Sequence, residues 1–482
     1  MTPPRDKLPS HLRTLLGADT DTVREVERIL DRSVDKLSEG RLGRAFKMGK
    51  LAASGGTKLA LSKAKGLLGG EAGMSKSDGV QLALEMVETF AELRGVAMKV
   101  GQMLSYVDDT LPPEARRVPS LLQRDAPPMP YDVVKKRLEE ELGKPVSEAF
   151  LELDEVPLAA ASIGQVHRAR LPDGQEVAVK VQYPGIDKAM GADLKNGKIL
   201  SIFQKALFFR TDAAGILEEL EQRLLDECNY LKEADYQDTF RQRFAGHPRI
   251  VVPEVHRAYC TRHVLTTTLY RGMNFYDWLA RSPSAAEREV ACRTFYRFYL
   301  GSFYIDGLFN CDPHPGNYIF LEDGRVVFLD YGCSRPFTQE RREAWIACAR
   351  AVRGDVPAEL EQAGRRVGFL PPQVSEFDRP AFRALMRHLY APYVEDVAYD
   401  FSRHKPQETF RQMFTENPNL FKLDMPADAV FLNRITFGLV SLLTEIGSPL
   451  NCYRLADQYF SRNDPDWPED PVLLAERAAR LA

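Results

Sequence analysis

Two polar loops tied to one hairpin constrain this chain more tightly than any other stretch of it. "LFNCDPHPGNYIF" (308–320) sets Asp312 and Asn317 five residues apart, with Pro313, His314 and Pro315 between them. "GRVVFLDYG" (324–332) is a strand pattern ending at Asp330, eighteen residues beyond Asp312. The turn "LEDGR" joins the two stretches as a hairpin, so the loops at its open end emerge side by side. Asp312, Asn317 and Asp330 are thereby expected together. On its own the first stretch reads as a metal site, a proline-stiffened loop or the catalytic loop of a phosphoryl-transfer enzyme. Metal binding through histidine is weak, because His314 stands alone there and zinc needs several spaced soft ligands. The trio suits phosphoryl transfer: one carboxylate orients the attacking hydroxyl or water, while an amide and a second carboxylate are hard oxygen ligands for Mg²⁺.

Composition narrows the field. At 482 residues the chain has room for two or three structural units, and 44% hydrophobic with 27% charged residues is ordinary for a soluble globular protein. A net charge of −4 gives no reason to expect nucleic acid as a partner. Seven scattered cysteines, none in a CxxC, suit a reducing compartment and argue against a disulfide framework or structural zinc. "MTPPRDKLPSHLR" has no apolar core of a secretory signal, and no run reaches the ~18 apolar residues of a membrane span. "ITFGLVSLLT" (435–444), bounded by Arg434 and Glu445, reads as a buried helix. A cytoplasmic place is therefore expected. The segment 40–70 has seven Lys/Arg and no acid. It reads either as an amphipathic stretch lying peripherally on an anionic membrane or as a solvated basic linker.

Along the chain, 20–40 and 78–107 carry helical periodicity, and 131–143 is a helix ending at Gly143. From 150 to 185 the pattern turns to β, with "PDG" (172–174) as a hairpin turn. Helices are expected over 190–245, short strands at 250–252 and 263–270, and mostly helix from 276. The fold class is α+β. A small β-rich lobe (131–270) precedes a large helical lobe (271–482), with a cleft between, and 1–75 forms an N-terminal helical and basic region.

"VAVK" (177–180) ends a strand whose period of two puts Ala178 and Lys180 on the face opposite Val177 and Val179. The preceding "AAASIGQVHRA" (159–169) opens on small residues, which let backbone N–H groups approach phosphate oxygens. A lysine beneath such a loop needs a carboxylate, because an unpaired charge in a partly desolvated cleft is costly. "DECNYLKEADY" (226–236) offers Glu227 and Glu233 on one expected helix, about 240° apart around it. Surface charge on an ordinary helix is the plainer alternative.

Together these stretches resemble an atypical protein-kinase-like fold of the UbiB/AarF family. The motifs are "KVGQ" (99–102), "AAASIGQVHRA" (159–169), "VAVKVQYPGI" (177–186), "ECNYLKEA" (227–234), "DPHPGN" (312–317) and "DYG" (330–332), spanning about half the chain. The resemblance implies an ATP-binding, Mg²⁺-dependent kinase or ATPase with two lobes. Lys180 would bind phosphate with Glu233 as its partner, Asp312 would be the catalytic-loop aspartate, and Asn317 and Asp330 would hold metal. Ala160, Ala161 and Ser162 would lie in an Ala-rich phosphate loop. Lys99, Gly101 and Gln102 would mark a helical extension (76–130) folded over the active site. The family's Glu-x-Asp appears here as Glu227-Cys228-Asn229, which removes a carboxylate from any ion pair with that extension.

Adenine is expected at the inter-lobe linker, Leu269 through Arg271, although an ordinary strand and turn fits the same residues. Only about seven residues separate Asp330 from the helix opening at Thr338, with no activation segment and no Ala-Pro-Glu. That disfavours a peptide-directed protein kinase. The family points instead to isoprenoid-lipid or ubiquinone-related metabolism at a membrane, with a lipid or quinone-like ligand. The rival is a nucleotide-binding regulatory module with negligible turnover.

Overall fold

Period-two burial builds the first strands of the structure, a computed structural model that describes residues 129–161, 163–187, 226–403, 417–419, 422–424 and 426–467. The helices expected over 20–40 and 78–107, the basic stretch 40–70, the motif residues Lys99, Gly101 and Gln102, Ser162 and all of 190–225 lie outside the described residues. Two compact units form: 129–169, 179–187 and 226–228 belong to the first, 170–178 and 229–467 to the second.

In the first unit, helix α1 (Tyr131–Leu142) buries Val134 and Leu138 and stops at Gly143, whose φ of 67° suits a residue without Cβ. Strand β1 (Glu152–Leu153) precedes β2 (Ala159–Ala160), which pairs antiparallel with β3 (Gly164–Arg170), Ala159 opposite Val166. Strand β4 (Glu176–Gln182), whose first three residues belong to the second unit, buries Val177, Val179 and Val181 completely, while Ala178 and Lys180 share the half-exposed face as expected. Gly164 is required where β3 meets β4: a Cβ there would stand 2.2 Å from Val181 O.

The motif residues Gln165 and His167 are core, not surface. His167 Nδ1 meets Asp154 O at 2.7 Å and must donate, so its Nε2 accepts from Gln165 Nε2 at 2.8 Å. Gln165 Oε1 then accepts the Met129 N–H at 2.7 Å, which ties the chain ahead of α1 to β3. This chain of bonds requires a neutral imidazole.

In the second unit the Leu171–Gln175 turn closes as expected through Gly174 (φ 90°). Strand β6 (Val264–Thr268) runs on to Leu269, whose N–H donates to Glu176 O at 3.1 Å. Helix α2 (Tyr230–Arg243) starts at Asn229, whose side chain accepts the Leu231 N–H. The residue that departs from the family's Glu-x-Asp is thus a helix cap. Glu227 consequently lies ahead of α2 and not on one helix with Glu233, because the cap interrupts the helical backbone between them.

Helices α3 (Phe275–Ala280) and α4 (Ala285–Tyr296) follow, and α4 continues as a π-helical segment, Arg297–Asp306. Short strands come next: β7 (Leu308–Asn310), β8 (Tyr318–Phe320), β9 (Val326–Phe328) and β10 (Ser334–Pro336). β9 pairs antiparallel with β8 and parallel with β5 (Ile250–Val251). Beneath them is an aromatic core in which Phe298 stacks on Phe328 (3.7 Å between centroids) and Trp278 on Phe320 (4.3 Å). Burial of each such ring is worth about 1.5–3 kcal/mol. Arg297 is fully buried, bonded to Asp464 and to Asp306 (3.3 Å) with its guanidinium over Phe244. Gly301 makes room for it, since a Cβ there would lie 2.6 Å from Arg297 Cδ.

The remaining helices include α5 (Gln339–Gly354), capped by Thr338 as expected, α6 (Pro357–Val367), α7 (Arg379–Leu389), α8 (Ala427–Ile446) and α9 (Cys452–Phe460). "ITFGLVSLLT" lies inside α8 and buries Ile435, Leu439, Leu442 and Leu443. Among the described residues no helix is long and apolar enough to cross a membrane.

Burial, against the smaller pull of Asp154, holds the His167 pKa below its ordinary value. As pH falls through the unfolded value of about 6.5, the unfolded chain gains the proton first, so acid destabilises the fold and raising pH restores it. Asparagine at 167 keeps one donor and one acceptor but does not titrate. His167→Asn is expected to flatten the dependence of the urea midpoint on pH between about 7 and 5; parallel curves for variant and wild type would refute the assignment.

Candidate active site

Two backbone ladders pin the loops that carry Asp312 and Asp330. In the β8–β9 ladder Tyr318 lies opposite Phe328, and Leu329 N–H donates to Asn317 O at 3.0 Å, one pair further. In the β7–β10 ladder Asn310 lies opposite Ser334, and Cys311 N–H donates to Cys333 O at 2.9 Å. Loop 312–316 and loop 330–332 therefore begin and end on hydrogen-bonded partners of each other. Asp312, Asn317 and Asp330 are brought together as the hairpin argument required.

Side chains complete the link. Asn310 is buried; its Oδ1 accepts the Asp312 N–H at 2.9 Å and its Nδ2 donates to Asp330 O at 2.5 Å. Asn317 Nδ2 donates to Asp312 O at 3.2 Å, which leaves the amide oxygen as its outward acceptor. Tyr299, fully buried in the π-helical segment, reaches Asp312 O at 3.4 Å and bonds Tyr318 Oη at 2.6 Å. Burial, then Tyr318, pushes the Tyr299 hydroxyl well above its ordinary pKa, so it stays a neutral donor. His314 Nδ1 accepts the Gly316 N–H at 3.1 Å and shapes the single 3₁₀ turn Pro315–Asn317. The histidine is a turn builder.

Glu233 joins from α2. A Cβ on Gly332 would lie 3.4 Å from both Glu233 Oε2 and Asp330 Oδ1, which places the two carboxylates on either side of this residue. Glu233 is buried, and Asp330 Oδ1 accepts the Gly332 N–H at 2.9 Å. Tyr331 goes the other way, fully buried against Phe240 of α2 (5.2 Å) and donating to Phe328 O at 3.0 Å. One helix thus supplies both the second carboxylate and the ring that seats the loop. Neighbouring carboxylates favour a cation between them.

Lys180, Ala160, Ala161 and Glu227 belong to the first unit. Lys180 is half-buried on β4, and Ala160 is exposed at the end of β2. In the linker, Leu269 spends its N–H on Glu176, and the exposed Arg271 guanidinium grips the Glu176 carboxylate at 2.9 Å. Asn310 and Tyr299 were not singled out by the sequence. A lone amide closing an apolar strand, "LFN", was the one visible trace of Asn310; Tyr299 lies among other aromatics and left none.

Known proteins agree with this architecture. Residues 121–356 match the ABC1 atypical kinase-like domain. The chain is 33% identical over 381 residues to the mitochondrial atypical kinase COQ8B of Rattus norvegicus, covering 78% of this chain and 72% of that protein. It is 29% identical to the mitochondrial atypical kinase COQ8 of Saccharomyces cerevisiae, covering 87% of this chain and 85% of the other. A solved structure of Rv3197 from Mycobacterium tuberculosis, in complex with erythromycin, aligns with a TM-score of 0.57 at 26% identity, over 76% of this chain and 93% of that one. Fold and paired loops define an atypical kinase-like protein. The chain belongs to the ABC1 atypical kinase-like family, the UbiB/AarF group that its motifs resemble.

Asn310→Ala would leave Asp312 N–H and Asp330 O without the amide. Each orphaned buried group costs about 1–3 kcal/mol, so a loss in that range is expected from urea unfolding. A loss within the scatter of surface substitutions would show that the amide does not bind the loops together.

Proposed function

We propose that this chain binds ATP with Mg²⁺ and carries out phosphoryl transfer or ATP hydrolysis. The observation that carries the reading is the double pinning of loops 312–316 and 330–332, which assembles a carboxylate, an amide and a second carboxylate. The donor set fits the metal: Mg²⁺ favours one or two carboxylates completed by phosphate oxygens and water. Asn317, its amide oriented by Asp312 O, and Asp330, its carboxylate fixed by Gly332 N–H, are the residues to hold it. Bound Mg²⁺ supplies charge neutralisation on the β and γ phosphate oxygens.

Asp312 orients the attacking hydroxyl or water, on a loop that Asn310 and Tyr299 keep still. By the family resemblance Lys180 is assigned to a phosphate, and Ala160, Ala161 and Ser162 to the phosphate loop, in which the Ala161 N–H is already donated to Gly164 O at 2.8 Å. The Leu269 carbonyl and the Arg271 N–H carry no hydrogen bond among the described residues, which suits them to a purine edge. Lys99, Gly101, Gln102 and Glu227 are assigned to the covering extension and its attachment.

The route after Asp330 argues against a peptide substrate. β10 pairs at once with β7, Phe337 N–H donates to Gly307 O at 2.7 Å, and α5 follows. No length of chain remains to dock a peptide. The COQ8 names of two relatives and the family's tie to ubiquinone support a quinone-like or isoprenoid lipid as acceptor or regulator, met at a membrane surface through residues 40–70.

The test is the thermal midpoint with MgATP. At about 100 times Kd, binding should add roughly 2.7 kcal/mol, less for Asp330→Asn and less again in EDTA. An unshifted wild type would remove nucleotide binding. Phosphate release should rise with vesicles containing anionic lipid and a quinone; binding without release would identify a regulatory module instead.

A further inference from the structure

Helix α8 carries a glycine in its interior where the catalytic loop comes closest. A Cβ on Gly438 would stand 2.4 Å from Pro313 Cγ, 3.1 Å from Pro313 O and 3.3 Å from Pro313 Cβ. Pro313 follows Asp312 directly, and its ring cannot swing aside without moving the backbone. Interior glycine costs a helix about 1 kcal/mol relative to alanine, so α8 forgoes helix stability at a point where it faces this loop.

The helix is held at both ends. Near its start, Asp428 accepts from Arg341 (2.6 Å) and from Trp345 Nε1 (3.0 Å), both on α5. At its end, Arg288 of α4 donates to Ile446 O at 2.7 Å. Buried Ile435, Leu439, Leu442 and Leu443 pack its length. A rod so fixed yields less readily than a five-residue loop, so extra bulk at 438 displaces Asp312. Ordinary van der Waals separation needs roughly 1 Å more than the 2.4 Å available, and a displacement of that size costs up to ~100-fold in rate.

We propose that Gly438 is a positioning residue: its bare backbone is the seat against which Pro313 sets the Asp312 loop, which makes the C-terminal helical region part of the reaction machinery. What the seat does rests on the phosphoryl-transfer reading; that it exists rests on the contact alone. Helix propensity predicts the opposite sign, since Gly438→Ala would then stabilise the protein.

The experiment uses the full chain as wild type, Gly438→Ala, Pro313→Ala and the double variant. Removing the Pro313 ring removes the 2.4 Å contact. Gly438→Ala should lower the thermal midpoint without nucleotide, speed hydrogen exchange in peptide 308–320, and cut kcat for MgATP hydrolysis about 10- to 100-fold with a smaller change in KM. In the Pro313→Ala background the same substitution should change kcat about twofold or less, because the coupled partner is gone. Unchanged exchange in Gly438→Ala, or the same penalty in both backgrounds, would overturn the proposal. If wild type itself releases no phosphate, the phosphoryl-transfer reading fails, and the exchange and thermal cycle still decide the seat.

Discussion

Backbone hydrogen bonds between neighbouring strands, more than any side chain, hold this site together. Loops 312–316 and 330–332 share their ends: Cys311 with Cys333 on one ladder, Asn317 with Leu329 on the other. A strand pair admits only registers that keep its faces buried, and a slip of one residue would turn Phe320 and Phe328 out of the aromatic core. The penalty for exposing those rings therefore sets where Asp312 and Asp330 stand. Asn310 adds a bond to each loop at the point where the ladder ends and the polar residues begin.

The same core explains how carboxylates can be kept close at the edge of a folded protein. Glu233 and Asp330 both reach the surroundings of Gly332, so α2 and the 330–332 loop carry two carboxylates to one place. Phe240 and Tyr331 bind α2 to the Asp330 loop, while Tyr299 and Tyr318 lie beneath Asp312. Packing of these rings fixes α2 and both loops relative to one another. Gly332 lies between these two carboxylates, and a Cβ there would be in van der Waals contact with both.

Membership of the ABC1 atypical kinase-like family fits the economy of the chain after Asp330. β10 pairs with β7 only a few residues after Asp330, and α5 follows. The ribbon anchors the site and leaves only a short path from Asp330 to α5. Helix α8, joined to α5 through Asp428, meets the 312–316 loop where Gly438 faces Pro313.

Short-range features were legible from the residues alone. The hairpin through "LEDGR", the turn at Gly174, the helix stop at Gly143, the Thr338 cap and the burial alternation around Lys180 are local, and local stereochemistry decides them. The convergence of Asp312, Asn317 and Asp330 was legible too, because one hairpin links them. Other roles needed the tertiary structure. Asn310, Tyr299, Gln165 and Gly438 act on partners supplied by packing, and no periodicity marks such partners. Asn229 shows the difference in one residue: as a motif position it is a lost carboxylate, in the fold it is the cap that starts α2. Sequence specifies which groups a segment carries and how it bends; which groups meet depends on long-range burial, and that is decided only when the whole core closes.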